Sequence, residues 1–140
     1  MNYLDYAATT PVNAEVLEVI TKEMASFGNP SSVYRIGREQ KQKIERVKKA
    51  ILSELQASPH DAIIFTSSGS EGNNLVFESI REHFANEKGH IIVSAVEHPS
   101  VRKSAEFLEH EGFDVTYLAP NKDGIVTVSE IEQALREDTR

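Results

Sequence analysis

Cysteine is absent from these 140 residues, which excludes disulfides, thiolate-bound zinc and a nucleophilic thiol supplied by this chain. Long apolar runs are missing too. Nothing approaches the roughly 18 residues a membrane helix requires, and the start, Met1-Asn2-Tyr3-Leu4-Asp5, lacks the basic and apolar regions of a secretion signal. A cytoplasmic location without a membrane partner is therefore expected. Positive charge is in deficit, with 15 Lys and Arg against 22 Asp and Glu and a net charge of −7, which disfavours nucleic acid and anionic membranes as partners. Glycine and proline number only seven and five, and no residue type runs in tracts, so collagenous, low-complexity and disordered classes drop out. What remains is 39% hydrophobic and 26% charged, an ordinary globular composition whose length suits one domain of about 100 to 150 residues.

Hydrophobic spacing supplies the organisation. Val12, Val16, Val19, Ile20, Met24 and Phe27 recur at helical intervals behind Thr10-Pro11, predicting a helix over about Val12 to Phe27. Gly28-Asn29-Pro30-Ser31-Ser32 is a turn-forming loop and a functional candidate. Ile36, Ile44, Val47, Ile51 and Leu55 then form one stripe of a long helix, read as ordinary core, with most of its basic residues elsewhere around it. That basic cluster, seven Lys or Arg against two Glu over Arg35 to Lys49, reads as a solvated face. Ala62-Ile63-Ile64-Phe65-Thr66 reads as a strand buried on both faces, and His90-Ile91-Ile92-Val93 as a second. A helix carrying Val76, Ile80 and Phe84 lies between them, and one opening at Pro99 leads to a third strand, Asp114 to Leu118. Thr127 and Glu130 have the spacing of a capping box for a last helix running through Leu135. The alternation implies an α/β sheet with crossover helices on its faces. The last helix has no following strand to return to, so the pattern reads as interrupted and a fragment of a larger sheet is expected.

The chemistry concentrates in Phe65-Thr66-Ser67-Ser68-Gly69-Ser70-Glu71-Gly72-Asn73-Asn74, which joins the end of a predicted strand to the start of a helix. Free amides at a helix start, their partial positive charge and nearby hydroxyls suit a dianionic phosphate, and a glycine permits close backbone approach. Ligands in such sheets also gather at the carboxyl ends of strands. Taken alone, a serine-rich junction of this kind is more often a cap and a tight turn. The spacing matches neither a Walker loop nor the dinucleotide glycine pattern. His60, His83, His90 and His110 lie on different elements without ligand-like spacing, so no metal site is expected. His98, just before Pro99, reads by itself as a capping histidine.

Several separated motifs, taken together, resemble one family, the cysteine desulfurases of the class V aminotransferase superfamily. Leu4-Asp5-Tyr6-Ala7-Ala8-Thr9-Thr10-Pro11 is similar to the N-terminal signature of these pyridoxal-phosphate enzymes, and Phe27-Gly28-Asn29-Pro30-Ser31-Ser32 to their second loop. Thr66 to Asn74 resembles the phosphate turn, and Val96-Glu97-His98-Pro99-Ser100-Val101 the segment whose histidine stacks on the cofactor ring. The chain departs from the pattern in having Ser67-Ser68 for the usual Ser-Gly, Gly69-Ser70 for a small residue and Thr, and Tyr34 where a histidine is usual. A hydroxyl survives at Ser70.

The resemblance implies the N-terminal portion of a fold-type I transferase. Residues 1–35 would form an active-site entrance and small-domain segment, and residues 36–140 the beginning of the large cofactor domain. It implies pyridoxal 5′-phosphate as cofactor, bound by Gly69, Ser70 and His98. His98 is the candidate catalytic residue, stacked on the ring and suited to proton transfer. Glu71 would cap or orient the turn, and Asn73 and Asn74 would be supporting hydrogen-bond donors. The implied reaction turns L-cysteine into L-alanine and enzyme-bound persulfide sulfur, which a sulfur-acceptor protein receives for iron–sulfur cluster assembly or tRNA thiolation. A homodimer is implied as well. The lysine that anchors such a cofactor is not among the matched motifs: Lys22, Lys41, Lys43, Lys48, Lys49, Lys88, Lys103 and Lys122 fall in charged helices or turns. With no cysteine either, these residues alone are expected to be inactive. Another class V enzyme, such as an aminotransferase or selenocysteine lyase, would use the same phosphate turn. A non-catalytic binding or regulatory module built on half the fold is the reading from a different class.

Overall fold

A computed structural model describes residues 2–140, which form two compact units, one reaching to Ile64 and the other spanning Phe65–Arg140. The first unit is helical: α1 is Ala14–Met24 and α2 is Arg35–Glu54. α1 begins two residues later than its apolar spacing suggests because Asn13 outcompetes Thr10 as a cap, its side chain accepting the Glu15 amide at 2.8 Å. Between the helices, Lys43 Nζ donates to Glu23 Oε2 at 2.6 Å and to Ser26 Oγ at 3.1 Å. The Gly-Asn-Pro-Ser loop is folded back on α2. Asn29 Oδ1 accepts the Ser31 amide at 2.9 Å, and a side chain at the buried Gly37 would collide with Ser32 Oγ and the Asn29 carbonyl. The α2 stripe read as core is largely open instead, with Val47 at 50% and Leu55 at 68% exposure. Two helices without a sheet layer in their own unit leave an apolar stripe uncovered.

The second unit runs α3 (Gly69–His83), β1 (His90–Ser94), α4 (Pro99–His110), β2 (Asp114–Leu118) and α5 (Val128–Ala134). β1 and β2 pair in parallel from His90 opposite Asp114 to Ser94 opposite Leu118, and α4 is the crossover between them. Because side chains alternate along a strand, Ile91 and Val93 share one face with Val115 and Tyr117. They pack there with Ala105 and Leu108 of α4, and with Phe113, against Phe77 and Ile80 of α3. His90 and Thr116 lie on the other face, joined at 2.7 Å, and α5 approaches β2. Thr127 and Glu130 make the expected capping box. Gly89, at φ +131, passes so close to the carbonyl of Asp138 that a Cβ would stand 2.8 Å from it, and the His90 amide donates to that carbonyl at 3.0 Å.

One expected strand is not formed. Ala62 to Thr66 forms no regular element and has no ladder partner among the described residues, and Ile64 and Phe65 are 70% and 56% exposed rather than buried. The sheet therefore has two strands, not three. A β-rich apolar run supplies the conformation of a strand, but only a neighbour supplies its hydrogen bonds.

Candidate functional site

The turn leading into α3 is locked by its own polar groups. Ser68 is the N-cap, its Oγ accepting the Glu71 amide at 3.2 Å. The Glu71 carboxylate reaches back to accept the Ser67 amide at 2.5 Å and the Ser67 hydroxyl at 2.6 Å, and Thr66 Oγ1 donates to the Ser68 carbonyl at 2.9 Å. The Ser67 hydroxyl, and after it the Ser67 amide, hold the Glu71 carboxyl below its ordinary range. Glu71 is thus ionised and occupied within the turn, as a group that orients it. The amides of Gly69 and Ser70, which head the helix, have no protein acceptor among the described residues, and the Ser70 hydroxyl has no protein partner there. A Cβ built on Gly69 meets nothing within 4 Å. Two outward amides, a free hydroxyl and the positive end of a helix dipole form a donor set for an anion with several oxygens.

His98 stands between β1 and α4 as the N-cap of α4, followed by Pro99 in the first turn. Its Nδ1 accepts the Ser100 amide at 3.1 Å and lies 2.8 Å from Ser100 Oγ, so the capping reading is realised. Nε2 has no protein partner among the described residues and the residue is exposed. Capping and a functional role are compatible, because the cap consumes one ring nitrogen and leaves the other and the ring face free.

A polar clasp joins the two helices. Asn73 Nδ2 donates to Ser100 Oγ at 2.9 Å, Ser104 Oγ donates to Asn74 Oδ1 at 2.7 Å, and Asn74 Nδ2 donates to the Ser70 carbonyl at 2.9 Å. Gly69, Ser70 and His98 consequently sit at the same end of the unit, where both helices begin. Asn73 and Asn74, expected from the sequence to be supporting donors, make these contacts between α3 and α4, Asn73 as donor and Asn74 as acceptor. Ser100 and Ser104 were missed; their spacing of four on one face of α4, beside two consecutive asparagines on α3, is the signal that could have found them. Tyr34 lies in the first unit, 72% exposed, at the N-cap of α2. His90 is fully buried between Thr116 Oγ1 and Thr139 Oγ1, which makes it a structural histidine.

The family model described as Aminotransferase class-V matches residues 2–140. The chain belongs to the class-V aminotransferase family. Among curated class-V relatives it is 42% identical over 138 residues to "Cysteine desulfurase IscS" of Dictyoglomus turgidum, covering 98% of this chain and 35% of the relative. It is 40% identical over 142 residues to the protein of the same name from Pseudomonas syringae pv. tomato, with the same coverage. The chain spans about a third of the length of these relatives, 35% in each case. Among solved structures, "SspA in complex with cysteine" superposes with a TM-score of 0.88 at 38% identity, covering 99% of this chain and 40% of that one. A "NIFS-like protein" gives 0.84 at 33% identity, covering 94% and 36%. The α/β unit with its parallel strands is accordingly part of a fold-type I class-V architecture, as expected from the motifs.

Proposed function

We propose that this chain is the phosphate-holding and ring-facing portion of a pyridoxal-phosphate-dependent cysteine desulfurase, acting on L-cysteine to give L-alanine and sulfur for an acceptor protein. The observation that carries the reading is the pair of unpartnered amides at Gly69 and Ser70, set at the same end of the unit as His98 by the clasp between α3 and α4. The names of the relatives, and a cysteine complex of a similar protein, support the substrate.

The donor set fits the cofactor's phosphate. Gly69 and Ser70 would offer their amides and Ser70 its hydroxyl, while Glu71, already bonded twice to Ser67, does not compete for those donors. His98 would set the flat face of its imidazole over the pyridine ring, with Nε2 as the free nitrogen. When bound, pyridoxal phosphate supplies the electron sink for bond cleavage at the substrate. The thiol that takes the sulfur is not part of this chain, which has no cysteine, and none of its lysines lies in the phosphate turn or the His98 segment. The 140 residues by themselves are therefore proposed to be inactive. In the whole enzyme, residues 1–35 would belong to the entrance and small domain and residues 36–140 to the large domain. A soluble cytoplasmic homodimer serving iron–sulfur assembly or tRNA thiolation completes the reading.

The test is calorimetric titration of the chain with pyridoxal 5′-phosphate and with pyridoxal. The phosphate ester should bind at least tenfold more tightly, and Ser70→Ala should weaken it about fivefold, the size of one lost hydrogen bond. Equal binding of both compounds would remove the phosphate assignment. Alanine release from L-cysteine by the native polypeptide purified from its own cells, and none by the 140 residues alone, would establish the activity; a different amino-acid product would redirect it within the class-V family.

A further inference from the structure

The hydrogen bonds around His98 fix more than its position. A backbone N–H has a single proton state and always donates, so the Ser100 amide at 3.1 Å requires a lone pair on Nδ1. Ser100 Oγ lies 2.8 Å from the same nitrogen, and its oxygen receives Asn73 Nδ2–H at 2.9 Å. Because the amide leaves Nδ1 without a hydrogen, the Ser100 hydroxyl must be the donor in that 2.8 Å contact, sharing the single in-plane lone pair of Nδ1 with the amide, while Asn73 fills one of the two lone pairs of the oxygen. Both groups at Nδ1 are then donors, and the neutral ring must carry its own hydrogen on Nε2.

We infer that Asn73 and Ser100 are positioning residues that lock His98 in the Nε2–H tautomer, so that its free edge is a hydrogen-bond donor rather than a proton acceptor. The alternative tautomer would place a hydrogen on Nδ1 against the Ser100 amide hydrogen, lose that contact, and force the Ser100 hydroxyl to turn away and accept while already accepting from Asn73. A proton can leave His98 from Nε2, but none can be taken up at Nε2 unless the Nδ1 side is reorganised. Asn73 acts from the neighbouring helix, and its packing with Ser100 is anchored one turn further along α4 by Ser104 and Asn74. The tautomer stands on these contacts alone; that the donor edge faces a cofactor rests on the proposed function.

The experiment is long-range proton–nitrogen NMR of the uniformly labelled chain, which reads the protonation of each ring nitrogen directly. Wild type should show a pyridine-like Nδ1 and a pyrrole-like Nε2 for His98. Ser100→Ala removes one donor and should raise the Nδ1–H to Nε2–H ratio about fivefold, the equivalent of one ordinary hydrogen bond. Asn73→Ala should move the ratio in the same direction without touching α4, and Ser100→Thr, which restores the hydroxyl, should return it to the wild-type value. A ratio unaltered in both alanine variants, or a Thr variant indistinguishable from Ala, would overturn the lock. Titration of the same variants with pyridoxal 5′-phosphate separates the two readings. A tautomer shift without any effect on binding keeps the lock and detaches His98 from the cofactor, whereas weakened binding with an unmoved tautomer overturns the lock.

Discussion

Asn73 and Ser100 meet at 2.9 Å across two helices, and that single contact couples the turn proposed to hold a phosphate to the histidine proposed to cover a ring. The two groups come from different helices of the α/β unit, α3 and α4, and are 27 residues apart in sequence. Nothing in the apolar core specifies how far one helix slides along the other to within a hydrogen-bond length. A polar contact does so, because it is strong only over a narrow range of distance and angle.

Ser104 is the buried half of that arrangement, 5% exposed, with its hydroxyl 2.7 Å from Asn74 Oδ1 and 2.8 Å from the Ser100 carbonyl. Ser104→Ala keeps the volume nearly constant but leaves Asn74 Oδ1 without its donor. Destabilisation of about 1 kcal/mol is expected, measured as a lower urea midpoint with an unchanged slope. A variant as stable as wild type would show that the clasp registers the helices without holding them.

His90 has its ring nitrogens at 2.9 Å from Thr139 Oγ1 and 2.7 Å from Thr116 Oγ1, in a site with no exposure. Thr116→Val is nearly isosteric and removes the hydroxyl alone. A buried ring nitrogen left without a partner should cost about 1 to 3 kcal/mol, more than the exposed Thr21→Val, whose hydroxyl bonds only the Leu17 carbonyl of its own helix. Comparable losses from the two substitutions would mean that water replaces the Thr116 hydroxyl.

Much of this unit was legible in the sequence because its signals are local. Pro99 after His98, the Thr127 to Glu130 box and the short apolar run Ile91-Ile92-Val93 each determine their own element. Ala62 to Thr66 misled for the opposite reason. Its composition suits a strand, yet pairing depends on a neighbour, and the segment has no ladder partner among the described residues. The α2 stripe failed likewise, since an amphipathic pattern reports that a face can be buried and not what covers it. At the site, Gly69, Ser70 and His98 stood out through motif resemblance, while Ser100, part of the His98 segment but given no role there, and Ser104, outside every motif, acquire meaning only when α3 lies beside α4.

Glu71 makes the acid limb of stability diagnostic. Its carboxyl is held below the ordinary value of 4.5 by Ser67, so it contributes stability above that value and loses it as pH falls through the lower folded value. Glu130 behaves in the same sense through the Thr127 amide and hydroxyl. Glu71→Gln should therefore be less stable than wild type near neutrality, with the two curves converging as pH falls below 4.5 and through the lower folded value of Glu71. Denaturant midpoints across that range check this. A gap that persists undiminished into acid would show that Glu71 acts through the shape of its side chain and not its charge.

Tyr117 presents the reverse case, a polar atom that costs the fold something. Its hydroxyl is buried without a hydrogen-bond partner among the described residues, in a hollow lined by Ala95, Arg102, Glu106 and Glu109. Burial, followed by the Glu109 and Glu106 carboxylates, pushes its ionisation above the usual 10.0. Above that pH the unfolded chain ionises this phenol before the folded one does, so folding weakens as alkali is added. Tyr117→Phe removes the unpaired hydroxyl while keeping the ring against the core, and should leave neutral-pH stability unchanged or raise it by up to about 1 kcal/mol. It should also flatten the alkaline limb. Thermal melts at neutral and alkaline pH decide the matter: a loss at neutral pH would mean that the hydroxyl does have a partner, the neighbouring Glu109 carboxylate or solvent in the hollow beside β2.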